Sequence, residues 1–74
     1  MKPGELRRFK KDAFSETNPF ERYSGETFII LSRKPRRYAY PAQYDIDIFV
    51  CGELSAGWSD KSITDFSEAI DEAR

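Results

Sequence analysis

Between Tyr44 and Trp58 the chain reads YDIDIFVCGELSAGW, and no other stretch limits the fold so tightly. Tyr44, Ile46, Ile48 and Val50 alternate with Asp45 and Asp47, the period of two that gives a strand one buried and one wet face. Cys51-Gly52-Glu53 then supplies a residue able to take positive φ, and Leu54 to Trp58 is short enough to be the returning strand. The stretch predicts a β-hairpin. A lone hairpin is at best marginally stable in water, so strands from the N-terminal half must cover its apolar face.

Candidates for those strands are visible. Gly25 to Lys34, GETFIILSRK, holds the continuous apolar run Phe28 to Leu31, as expected of a central strand, and it stops at Pro35, which cannot donate to a ladder. A first strand is expected within Met1 to Lys11; Leu6 and Phe9 are out of phase for strict alternation, so it must be short or bulged. Lys11 to Ser24, with Asn18-Pro19, reads as a loop carrying Phe14, Phe20 and Tyr23. In so small a domain these rings are expected to cover the core, or else to form a contact surface. After the hairpin, Ile63, Phe66 and Ile70 fall at i, i+3 and i+7, and Ser62 with Asp65 resembles a capping box. Residues 62–73 are therefore expected to be a short amphipathic helix, or a helical turn leading into a closing strand.

Seventy-four residues make one domain, 1–74, and a chain this short buries only about 60% of the surface it exposes when unfolded. Eleven aromatic residues let a few large rings fill that core. No apolar run approaches the roughly 20 residues that cross a bilayer, and the first residues lack the apolar stretch of a signal peptide, so a cytoplasmic protein is expected. One cysteine precludes an intramolecular disulfide, and the absence of histidine removes both the usual zinc ligands and any base to activate Cys51. No phosphate-binding glycine loop or nucleophile elbow occurs. The residues thus point away from an enzyme and from any cofactor.

Residues 1–40 carry ten Lys and Arg against five Asp and Glu, and residues 41–74 carry two against eight. Such a split either places a basic and an acidic face on one body or lets the two halves interdigitate. The densest cluster is Arg33, Lys34, Arg36 and Arg37 with Tyr38 and Tyr40, a basic aromatic stretch expected to be a loop between prolines. Its guanidinium groups suit an acidic protein partner, and with its rings they also suit a nucleic-acid backbone and stacked bases. Asp45 and Asp47 share one face of a strand, about 7 Å apart. They are expected to be that strand's wet face rather than a metal or acid–base pair. Asp65, Glu68, Asp71 and Glu72 are expected to be a solvated face, or else to meet a basic partner, and Trp58 to be a core ring with Gly57 permitting close backbone approach, or else a binding hot spot.

Taken together, the Gly4, Leu6 and Phe9 opening, the strand led by Gly25, the hairpin around Gly52, and Gly57-Trp58 followed by Asp65-Phe66 and Ile70 resemble small SH3-like barrels among phage gene products. That resemblance implies a mainly β, five-stranded, strongly bent antiparallel barrel with a short C-terminal helix or helical turn, of phage or phage-derived origin. The Ala-Leu-Tyr-Asp-Tyr element and tandem Trp of peptide-binding SH3 domains are absent. The function expected is non-enzymatic docking of a virion or host protein, in the cytoplasm or the virion. Arg33, Lys34, Arg36, Arg37, Tyr38 and Tyr40 would make the contact, helped by Phe14, Phe20 and Tyr23. A nucleic-acid-binding or transcription-modulating protein, or an inhibitor of a host enzyme, is the alternative.

Overall fold

The computed structural model describes residues 2–35 and 44–70. Its hairpin is the expected one. Strand β3 (Tyr44–Val50) turns through Cys51 and Gly52 into β4 (Glu53–Ser59). Cys51 and Gly52 have φ of 53° and 78°, the pair of positive values that a two-residue type I′ turn requires. β2 (Thr27–Pro35) pairs antiparallel with β3 on one side and with the four-residue β1 (Leu6–Phe9) on the other. The phase problem at Leu6 and Phe9 is thus resolved by a short strand whose Leu6 faces outward and whose Phe9 is buried.

The C-terminal stretch combines the two forms expected of it. Helix α1 (Asp60–Phe66) is followed at once by β5 (Ser67–Ala69), which pairs with β1. The helix therefore starts before Ser62 and ends well before residue 73. Its cap is Ser59, whose Oγ accepts from the Ser62 amide at 3.0 Å, and not Ser62 itself. The helix stops because Ser67 is extended (φ −139°, ψ 171°) and buried. Arg7 holds it there, donating to Ser67 Oγ at 2.8 Å and to its carbonyl at 3.3 Å.

Five strands form one antiparallel sheet in the order β4-β3-β2-β1-β5. The register slips twice, at Leu31 between β2 and β3, and at Ala56-Gly57 between β3 and β4; both slips lie beside Asp47. One bulge on each flanking strand bends and twists the sheet at that point. Asp47 secures both: its carboxylate accepts from Ser32 Oγ at 3.0 Å and from the Gly57 amide at 3.1 Å. It is not merely a wet-face residue.

A single core lies on one face of this sheet. Phe9, Phe28, Ile30, Ile46, Ile48, Val50 and Trp58 reach it from the strands, Phe14 and Tyr23 from the loop between β1 and β2, and Ile63 from α1. Each fully buried large side chain contributes about 1.5–3 kcal/mol. The charged halves interdigitate: Arg8 pairs with Glu68, and Arg22 with Glu53.

Candidate functional site

The loop spanning residues 10–26 runs beside β4 and leaves a groove of about 510 Å³ against β4 and α1. Phe14 and Phe20 line it from the loop, Trp58 from β4 and Phe66 from the last turn of α1. Phe20 and Trp58 have ring centroids 4.9 Å apart, and Phe14 lies 6.0 Å from Trp58 and 5.4 Å from Phe66. Phe20 and Phe66 stay 41% and 36% exposed, whereas Trp58 and Phe14 are buried at 8%. The groove therefore has a fixed aromatic floor and two exposed aromatic walls.

Local sequence explains this arrangement. Asn18 Oδ1 accepts from the Phe20 amide at 2.8 Å, an Asx turn around Pro19 that aims Phe20 over the indole. Trp58 Nε1 donates to Ser55 Oγ at 2.8 Å, so the indole's one polar group is spent within β4 and a ligand meets its π face. Ser59 and Ser62, bonded to each other at 2.9 Å, form the polar rim.

The predicted contact residues divide among four places. Phe14 and Phe20 join in the groove. Tyr23 lies beneath, 2% exposed, stacked on Phe20 at 5.7 Å and donating to Glu53 Oε2 at 2.8 Å; it covers the core. Arg33 and Lys34 belong to β2 rather than to a loop and point to opposite faces, Arg33 over the Tyr44 ring at 3.7 Å and Lys34 opposite Asp45. Arg36, Arg37, Tyr38 and Tyr40 lie outside the described residues. Arg33 and Trp58 are the two cross-strand neighbours of Ile46. The basic end of β2 is thus about 10 Å from the groove, two strand spacings away on the same face.

Sequence reasoning places Trp58 in the core first and at a contact only second, and it does not name Phe66 as a groove residue. The spacing predicts one helical stripe of Ile63, Phe66 and Ile70, but α1 ends at Phe66 and its ring lines the groove. The signal available was the position of Trp58, directly after the bulged Gly57 and directly before the Ser59 cap.

Chemically active groups are sparse. Burial and the negative charge of Glu26 push the Cys51 thiol up, which lowers its thiolate fraction. Among the described residues no group of three or more Cys, Asp or Glu could hold a metal, and no helix is long and apolar enough to cross a membrane. A second hollow, of about 600 Å³, presents Arg8, Lys10 and Lys11, but Asp12 and Glu68 line it as well, which leaves one net positive charge. Compared with known proteins, the chain matches no family model, no characterised protein and no solved structure.

Proposed function

We propose that this protein is a non-enzymatic binding module that docks a segment of a protein partner in the groove of Phe14, Phe20, Trp58 and Phe66. One observation carries the reading. Two aromatic rings are left more than a third exposed beside a buried indole, in a chain with few large side chains to spare. Such a site accepts an apolar side chain by burial and stacking, and its serine rim orients the partner's backbone. Arg33, with Arg36 and Arg37 near it in sequence and Tyr38 and Tyr40 beyond, favours an acidic residue near that anchor, while Lys34 faces away beside Asp45. The lack of histidine and the raised Cys51 thiol support a role without catalysis.

The same proposal takes the sheet to be a closed SH3-like barrel. The bulges beside Asp47 and a single core fed by four strands and the helix support strong bending. On the resemblance to small phage SH3-like proteins, the partner belongs to a virion or to the host cytoplasm.

Trp58 is the chain's only tryptophan, so its emission reports on the groove directly. Affinity capture from nuclease-treated host lysate with wild-type protein and with Phe20→Glu should lose specific proteins in the variant, and a peptide from a lost protein should shift Trp58 emission. An identical set of captured proteins, or, in a parallel capture without nuclease, retention only of nucleic acid in a steeply salt-dependent way, would refute the groove as the docking site.

A further inference from the structure

The sheet ends at β4 on one side and at β5 on the other, and among the described residues no ladder joins the two. However far the sheet curls around its core, side chains of the loop and of α1 fill that seam, not backbone hydrogen bonds. A free edge invites a further strand, so proteins shorten such edges or place charge or proline on them. β5 follows this rule: it has three residues, and the middle one is the ion-paired Glu68. β4 does not. It runs for seven residues, its one charged residue, Glu53, is paired with Arg22, and Leu54 to Ser59 hold neither charge nor proline.

The outer side of β4 is open. Its type I′ turn makes Val50 and Glu53 a hydrogen-bonded pair, so the alternation of an antiparallel ladder points the amide and carbonyl of Leu54 away from β3. Among the described residues no turn or loop backbone bonds to β4 from Glu53 to Trp58, and the Gly57 amide is taken on the inner side by Asp47. Beyond Leu54 the strand enters the groove, which Ala56, Gly57, Trp58 and Ser59 line. Exposed apolar side chains flank this edge on both faces of the sheet, Leu54 at 64% on the outer face and Phe20 at 41% on the inner.

We propose that the partner segment docked in the groove is an extended strand, added to the edge of β4; this rests on the groove being the docking site. The segment's backbone pairs with Leu54, and its side chains alternate, one set reaching Phe20 and Trp58 and the other covering Leu54. An uncharged edge selects an uncharged strand, and apolar groups on both faces select a run that is apolar on both faces. The Leu54 carbonyl needs an amide opposite it, which excludes proline there and with it a polyproline segment.

Short peptides selected from a random displayed library on the intact chain, with counter-selection on Phe20→Glu, supply the probes, and Trp58 emission reads their binding. The selected sequences should share a run of consecutive apolar residues without proline. N-methylation of alternate amides within that run should weaken binding about tenfold or more for one alternating set and hardly at all for the other, because only one set faces β4. Leu54→Pro removes only an outward amide, which an edge strand tolerates. It should keep the wild-type far-ultraviolet dichroism and bind more weakly than Leu54→Ala, which retains the amide; if it fails to fold, the methylated peptides decide. Peptides that need Phe20 but ignore methylation of either set, or that carry proline through the run, would overturn the added strand and leave the groove standing. Were every peptide to bind Phe20→Glu equally, or none to be recovered, groove and strand would fall together.

Discussion

Asp47 and Cys51 show how much of this fold hangs on single positions. Asp47 joins three strands through one carboxylate, so Asp47→Ala leaves the Gly57 amide and the Ser32 hydroxyl without that acceptor at two bulges. The expected loss is about 1.5–3 kcal/mol, the usual range for hydrogen bonds to a charged group, read as a lower urea midpoint. Cys51 is the one non-glycine residue at positive φ among the described residues. Asn tolerates that conformation and leads the preferred type I′ pair, so Cys51→Asn should raise stability by about 0.5–1 kcal/mol, visible as a higher melting temperature. Glu5 gives a pH-dependent case. Burial pushes its carboxyl up, but hydrogen bonds from the Arg7 side chain and the Lys2 amide outweigh that and hold it below the ordinary glutamate range. A depressed value means that Glu5 stabilises the fold above about pH 4.3, its unfolded value, and that this contribution fades as pH falls through the folded one. Melting temperatures of wild type and Glu5→Gln should accordingly differ at neutral pH and converge in acid. A gap that persisted in acid would mean that the carboxylate charge is not what matters there.

Elements were legible where one local rule decided them. The alternation from Tyr44 to Val50 and the Cys51-Gly52 turn gave β3 and β4 directly, because pleat and turn chemistry agree there. The helix boundary failed for the opposite reason. The sequence from Ser62 to Ala73 has adequate helix propensity, but Arg7, sixty residues earlier, fixes Ser67 in a strand, and Ser67 Oγ donates to the Ile63 carbonyl to close the helix from below. No local pattern encodes a contact of that separation. The same contact makes β5 sensitive to Arg7. Arg7→Ala should release β5 from β1 and expose the amides of residues 67–69 to rapid hydrogen exchange, while the β2–β3 amides stay protected. The groove was half legible. Three aromatics in a polar loop pointed to either core or contact, and the structure divides them: Tyr23 and Phe14 go inward and Phe20 to the surface. Which ring stays out is set by the Asn18–Phe20 turn, a geometry that composition does not display.

At the scale of the whole molecule, the question is which aromatic rings the fold needs and which it can spare. Phe9 contacts Phe14, Tyr23, Phe28 and Trp58 with centroids 5.2, 6.1, 4.4 and 5.4 Å away, and it is 1% exposed. Emptying that position removes the centre of the aromatic cluster, and Phe→Ala changes in a core cost about 3–5 kcal/mol. A domain of this size has only about 4–11 kcal/mol in total at the usual stability per residue. Phe9→Ala should therefore lose most of its near-ultraviolet dichroism at physiological temperature, with Trp58 emission shifted to the red. Phe20 and Phe66 keep more than a third of their surface in water and lie at the outer edge of the cluster, Phe20 against Tyr23 and Trp58 and Phe66 against Phe14. Phe20→Ala and Phe66→Ala should each cost about 1 kcal/mol or less, the range for side chains outside a core. The contrast separates a binding role from a structural one. If Phe20→Ala destabilised the protein as much as Phe9→Ala, the groove would be the outer layer of the core, and its rings would be exposed only because seventy-four residues cannot cover them.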